Sequence, residues 1–515
     1  MKSPSTAPRH ALASVVSALL ATVLLMAGCS APSRSQTPLD DATAGGTTAQ
    51  GAPEGFESYY SQSLEWSDCG GGFECATASA PTSWQDAGSD PIELALKRHT
   101  ATGERQGSLL VNPGGPGGSG VDYVTSSWEG MGEKLRGAYD VVGFDPRGVG
   151  RSTAVRCFDD ERKDQSLAAD FDTTEAGLAA MADEYAAWGA ACAENTGELL
   201  GHVDTQSAAR DMDMLRAVLG DEKLNYLGFS YGTQLGATYA GLFPGRVGAM
   251  VLDGAIDVTL DSDEVSEGQA AGFERALRNY VADCQAGSGC PLTGDVDAGL
   301  KQVRDILDHA FDSPYPTSSG RRVTQSLAFY GVAVTLYDQR SWPVLTQAIE
   351  EVTTQGTGDA FLYLADFYND RNADGSYATN SSEAFRAVSC LDSRGTEDVA
   401  QMQAEAEQIE EVAPTVGRFF SYSGLTCHDW PAPVVDQEFD LSAEGAPPIV
   451  VIGTTQDPAT PYEWAEKLAG TLDSGSLVTY DGEGHTAYGR SNSCIVDAVD
   501  GFLVDGTTPE DGLTC

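Results

Sequence analysis

Five residues, Gly228-Phe229-Ser230-Tyr231-Gly232, constrain this chain more than any other stretch. A short apolar run, Leu224-Asn225-Tyr226-Leu227, precedes them and reads as a strand. Thr233 to Ala240 follows and reads as a helix. A serine held in a tight strand-to-helix turn between two glycines is a nucleophile elbow. Backbone crowds such a turn, and a side chain at either glycine would collide with it. The hydroxyl is thereby pushed out at the carboxyl edge of a sheet. Without its flanks the pentapeptide would be an ordinary turn; with them it predicts Ser230 as a nucleophile.

The surrounding pattern supplies the sheet. Ile92 to Arg98 alternates as a strand does, Ser108 to Val111 and Tyr139 to Phe144 read as buried strands, and Val247 to Leu252 adds another. Thr205 to Leu219 reads as a helix with Met212, Leu215, Val218 and Leu219 on one face. Alternation of this kind predicts an α/β fold with a mostly parallel sheet covered by helices. From about residue 256 to 430 strand signals fade and helical spacing takes over, as in Val303, Ile306, Leu307 and Ala310. Sheet character returns at 448–453 and 476–480, and a last helix is expected over about 493–504. The expected layout is a first core part over residues 56–257, an inserted helical lid over 258–430 and a second core part over 431–515.

The N-terminus is set apart. Lys2 and Arg9 precede an apolar run over residues 11–28 that ends in Leu25-Met26-Ala27-Gly28-Cys29. This predicts a secretory signal over residues 1–28, and its end resembles the lipobox of bacterial lipoproteins, with Cys29 as the lipidated residue. Residues 29–55 are rich in Ser, Thr, Pro, Ala and Gly and read as a flexible linker. Export suits the cysteines. Of eleven, ten remain beyond Cys29, an even number that suggests five disulfides outside the reducing cytosol. Neighbour pairing would join Cys69–Cys75, Cys157–Cys192, Cys284–Cys290, Cys390–Cys427 and Cys494–Cys515, although spacing does not fix connectivity. Zinc is the weaker reading, because no C-x-x-C occurs. The net charge of −46 argues against nucleic acid as a partner. A membrane would be met only through the lipid anchor.

A serine hydroxyl needs a base to take its proton. On this kind of sheet the partners follow the serine, acid before histidine. His309, His428 and His485 follow Ser230. His485 lies between the last strand signal and the last helix, so it is the expected base. Asp457 closes the preceding strand and is the expected acid; Asp253, at the end of the Val251-Leu252 strand, is its rival. The oxyanion of a tetrahedral intermediate needs two N–H donors. Tyr231 supplies one, and Gly115 in the loop Asn112-Pro113-Gly114-Gly115-Pro116-Gly117-Gly118-Ser119-Gly120 is the choice for the other. No metal or cofactor is implied.

Pro-Gly-Gly-Pro-Gly at 113–117, Asp145-Pro146-Arg147-Gly148-Val149-Gly150-Arg151-Ser152, the elbow, Val251-Leu252-Asp253-Gly254, Asp457-Pro458-Ala459-Thr460-Pro461 and Gly484-His485-Thr486 occur in that order. Together they resemble the secreted tripeptidyl aminopeptidases, which stand with the proline iminopeptidases among the α/β-hydrolases. The likeness spans roughly residues 60–515. Proline iminopeptidases carry His where this chain has Pro113, which favours the tripeptidyl branch. The resemblance implies an α/β-hydrolase fold and a serine exopeptidase that removes short peptides from free N-termini through an acyl-enzyme. Such an enzyme reads an ammonium group, and acids in the lid can do so; Asp392 and Glu383 are the candidates. Asp145 and Arg147 are expected to brace the loop beside the oxyanion hole. Two other readings stay open: a carboxylesterase acting on small esters, and a non-catalytic binding protein on a hydrolase scaffold.

Overall fold

The computed structural model describes residues 51–515. The predicted signal segment, Cys29 and all of the linker up to residue 50 lie outside the described residues.

Ten strands form one sheet. In chain order the strands are β1 (Ser67–Gly70), β2 (Phe73–Pro81), β3 (Pro91–His99), β4 (Gly107–Asn112), β5 (Tyr139–Phe144), β6 (Leu224–Phe229), β7 (Val247–Asp253), β8 (Tyr315–Pro316), β9 (Arg322–Val323), β10 (Ile449–Gln456), β11 (Gly475–Glu483) and β12 (Leu513–Thr514). The sheet order is β1-β2-β3-β5-β4-β6-β7-β10-β11-β12, while β8 and β9 make a separate hairpin. Pairing is antiparallel from β1 through β3 to β5 and parallel from β5 onward.

The central strands are buried on both faces. Every residue of β4 and β5 is buried, and so are the first six of β10. This is why they read as unbroken apolar runs: helices cover both sides of a parallel sheet. One face packs on a cluster that includes Tyr226, Met212, Leu215 and Leu235. The other packs on Val111, Leu227, Val251, Ile452 and the C-terminal helix Ser493–Asp505. Parallel strands deliver their carboxyl ends to one edge, so the loops after β4, β6, β7, β10 and β11 assemble there.

Between β7 and β10 the chain contributes no strand to this sheet. It runs instead through seven α-helices, from Ser262–Ala286 to Val399–Val412; six of them hold an apolar cluster of their own around Leu277, Val303, Leu345 and Phe361, while the Ser381–Asp392 helix packs Ala387, Val388 and Leu391 on the sheet-side cluster that contains Met212. The helices nevertheless sit against the strand ends. A Cβ at Gly272 would lie 2.4 Å from the carbonyl oxygen of Pro458, and Gln269 donates to the Ala459 carbonyl at 3.0 Å.

Among the described residues each cysteine is joined to its sequence neighbour: Cys69–Cys75, Cys157–Cys192, Cys284–Cys290, Cys390–Cys427 and Cys494–Cys515. Among the described residues no helix is long and apolar enough to cross a membrane.

Candidate active site

Ser230 sits in the turn between β6 and the helix Tyr231–Leu242 with φ +55° and ψ −125°. A left-handed conformation is uncommon outside glycine and is held here by its surroundings. Ser230 N–H donates to the Asp253 carbonyl at 2.9 Å, and Thr233 donates back to the Ser230 carbonyl through N (2.7 Å) and Oγ1 (2.6 Å). The flanking glycines are sterically required. A Cβ at Gly228 would meet the Gly232 carbonyl oxygen at 2.4 Å, and one at Gly232 would meet the Asn112 carbonyl oxygen at 2.8 Å.

Asp457 and His485 meet directly. His485 Nδ1 lies 2.9 Å from both carboxylate oxygens of Asp457. Asp457 is fully buried and also accepts from the amides of Ala459, Thr460 and Thr486. Burial alone would raise its pKa. The His485 imidazole beside it, with the Thr460 and Thr486 amides, outweighs burial and holds the carboxyl below its ordinary range. An ionised acceptor at Nδ1 keeps the proton there and leaves Nε2 as the basic nitrogen. The Tyr337 ring stands edge-on to the imidazole at 5.3 Å, and the Tyr337 carbonyl accepts from His485 N–H at 2.9 Å.

The serine and the histidine share the β7 strand end. Asp253 binds Ser230 through its carbonyl, and the next residue, Gly254, is so close to the imidazole that a Cβ there would lie 3.3 Å from His485 Cε1. The Asp253 carboxylate does a different job from Asp457. It accepts from Ala487 and Tyr488 N–H at 2.7–3.0 Å and so fixes the chain just after His485. Burial pushes it up to about 6.

Tyr231 is the first residue of its helix, where an amide has no intrahelical acceptor. The glycine-rich loop lies against it: a Cβ at Gly114 would fall 2.9 Å from Ser230 Cβ and 3.0 Å from Tyr231 N. Gly114 N–H is taken by Asn112 Oδ1, and no acceptor engages Gly115 N–H among the described residues. Asp145 braces this loop through Ser119 Oγ, Val121 N and Arg151 N. Arg147 is buried in a bidentate pair with Asp211 and touches the carbonyls of Pro81, Thr82 and His202.

The two acids of the helix Ser381–Asp392 have different environments. Glu383 pairs with Lys163 Nζ at 2.7 Å, both side chains being almost fully buried. Its charge is already met inside the fold. Asp392 has no cation beside it among the described residues. It accepts only from Thr205, through N at 2.8 Å and Oγ1 at 2.5 Å, and that hydroxyl is 2.6 Å from the Tyr231 phenol. Burial raises Asp392 to about 7. His309 packs on Tyr315 inside the insertion, and His428 pairs with Glu397.

Thr205, Tyr337 and Gly114 escape a reading by motif. Of these only Gly114 left a signal, the doubled glycine after Pro113; the others arrive from distant parts of the chain. Among the described residues no group of His, Cys, Asp and Glu is arranged to hold a metal ion.

A sequence profile of the alpha/beta hydrolase fold matches residues 107–489. Serine protease Hip1 of Mycobacterium tuberculosis is 38% identical to this chain over 476 residues, 88% of this chain and 91% of that protein. Carboxylesterase B of the same organism is 37% identical over 456 residues, 86% of each chain. Tripeptidyl aminopeptidase of Streptomyces coelicolor is 31% identical over 474 residues, 88% of this chain and 86% of that one.

Proposed function

Since this chain belongs to the alpha/beta hydrolase family, we propose that it is a serine exopeptidase that releases short peptides, tripeptides foremost, from free N-termini. Ser230 Oγ attacks the scissile carbonyl while His485 Nε2 takes its proton. The Tyr231 and Gly115 amides hold the oxyanion. His485 then gives the proton to the leaving amine, and water, deprotonated by the same nitrogen, releases the acyl group. Asp457 stabilises the imidazolium throughout.

One observation carries the exopeptidase reading: Asp392 is a partly buried carboxylate without a cationic partner among the described residues, joined through the Thr205 hydroxyl to the Tyr231 phenol beside the elbow. A substrate ammonium supplies the missing charge. The tripeptide length rests on the relative named tripeptidyl aminopeptidase.

The test is a panel of arylamides with one to four residues, free or N-acetylated, beside p-nitrophenyl esters. Free tripeptidyl arylamides should turn over best, and acetylation should cost about 10²-fold in kcat/KM, as expected for a partly buried carboxylate left without its cation. Binding needs Asp392 ionised and the substrate amine protonated. KM for free peptides should therefore fall as pH rises through about 7 and climb again above about 8, where an α-amino group loses its proton. Asp392→Asn should abolish the acid limb of that profile. Stability moves the other way. The folded value lies above the ordinary one, so the contribution of Asp392 is complete below about pH 4 and is lost as pH rises through about 7. A pH-independent KM, or equal rates with and without acetylation, would remove Asp392 from the reading.

The relative named carboxylesterase B favours a second reading, hydrolysis of small esters. Turnover of esters with none of any arylamide would support it. An extracytoplasmic location fits five disulfides, and lipidation at Cys29 is part of this proposal. Cys29→Ser should move the protein from the membrane fraction to the medium; an unchanged distribution would exclude the anchor.

A further inference from the structure

The loop that carries His485 is bent in a way its sequence does not favour. Gly484 has φ +90° and Thr486, which is β-branched, has φ +65°. Two left-handed residues flanking the histidine turn the backbone so that three carbonyls converge on one point. Arg490 fills that point. Its Nε donates to the His485 carbonyl at 2.7 Å and to the Thr486 carbonyl at 2.8 Å, and its Nη2 donates to the Glu483 carbonyl at 2.7 Å. No carboxylate pairs with this guanidinium among the described residues. Gly484 is part of the fit, because a Cβ there would lie 2.9 Å from Nη2 and 3.0 Å from Nη1.

We propose that Arg490 is a positioning residue for the catalytic base: its guanidinium holds the 483–486 turn in its left-handed form and so keeps the imidazole on Asp457. The inference rests on the serine-hydrolase reading above. A planar fork suits the task, since it can serve three carbonyls from one side, whereas an ammonium is a compact point charge without that geometry. If the fork is removed, the Glu483 and His485 carbonyls lose their side-chain donor, the Thr486 carbonyl keeps only Thr454 Oγ1 at 3.1 Å, and the positive φ of Thr486 is held less firmly. The other supports of the loop remain: Tyr337 on His485 N, Thr454 on the Thr486 carbonyl, Asp457 on Thr486 N and Asp253 on Ala487 and Tyr488 N. The fold should therefore survive while the ring loses its alignment. Misplacement of a catalytic group by about 1 Å costs on the order of 10²-fold in rate.

The experiment uses p-nitrophenyl acetate, a substrate too small to reach Asp392, with the full chain as Arg490→Ala and Arg490→Lys. Arg490→Ala should lose about 10- to 100-fold in kcat with KM changed less than threefold. Arg490→Lys should restore only part of the loss. Ethylguanidinium added to Arg490→Ala should recover several-fold in kcat, while ethylammonium at the same concentration should not, and neither should accelerate the wild type. Should Arg490→Ala fail to fold, Arg490→Lys carries the test alone: a reduced kcat at constant KM and an unchanged melting temperature supports the inference. Full kcat in the lysine variant overturns it. So does a loss in Arg490→Ala that appears in KM, or that guanidinium leaves untouched. If the wild type neither hydrolyses the ester nor reacts with a fluorophosphonate, the hydrolase reading itself has failed, and this inference falls with it.

Discussion

Ser230→Ala should lower kcat/KM by about 10⁴- to 10⁶-fold, the scale seen when a nucleophile of this kind is removed. The methyl group cannot form the acyl-enzyme. What remains is the binding cleft and the oxyanion donors, which act on water alone. A loss of 10⁴-fold corresponds to about 5.5 kcal/mol of transition-state stabilisation. The fold should not weaken, because the Ser230 contacts that shape the turn are made by its backbone N–H and carbonyl. Alanine at positive φ adds some strain, so the melting temperature of the variant should stay within a few degrees of the wild type. Fluorophosphonate labelling and turnover of the best arylamide are the two readouts. Hydrolysis at even a tenth of the wild-type rate would end the assignment of Ser230, and with it the acyl-enzyme route.

Asp457→Asn should cost about 10⁴-fold in kcat. The change is nearly isosteric, so the loss comes from the proton. An amide can present a donor to His485 Nδ1, which favours the tautomer with Nε2 protonated and unable to act as base. It also removes the negative charge that stabilises the imidazolium. The comparison with Asp253→Asn separates two aspartates that look alike along the chain. Asp253 accepts from the Ala487 and Tyr488 amides and does not touch the imidazole. It acts on the base only through the backbone after His485, so Asp253→Asn should cost less in kcat than Asp457→Asn. Equal losses from the two variants would mean that Asp253 shares the work of the acid.

The nucleophile elbow was legible because its cause is local. Strand, glycine, serine, glycine and helix follow one another within 20 residues, and the clashes that demand glycine arise within the turn or on its neighbouring strand. The buried strands β4, β5, β7 and β10 were legible for a similar reason, since a strand covered on both faces needs apolar residues at consecutive positions. The edge strand β1 and its neighbour β2 were not. β1 is exposed along its whole length, and β2 alternates with Ala, Thr and Ser, whose contrast in hydrophobicity is small.

Glu383 and Asp392 show where local reading stops. They share one helix, and nothing in the neighbouring residues distinguishes them. Lys163, 220 positions away, neutralises the first, and Thr205, 187 positions away, offers the second only neutral donors. Arg490 is a further case. It stands five residues from His485 in the chain, yet its role depends on the direction in which three carbonyls point, and backbone direction at Gly484 and Thr486 has no counterpart in composition.

By itself the chain pointed to Ser230, Asp457 and His485 as candidates and to a mostly parallel sheet with helices between β7 and β10. These follow from periodicity and from steric rules that act over a few residues. Sequence order already favoured Asp457 over Asp253; only the tertiary structure put its carboxylate on His485 Nδ1, left Asp392 rather than Glu383 without a cation among the described residues, and set Arg490 on the carbonyls of the histidine turn. Each of those depends on what lies within about 3 Å in space, and the burial that gives such contacts their strength exists only once distant segments have packed.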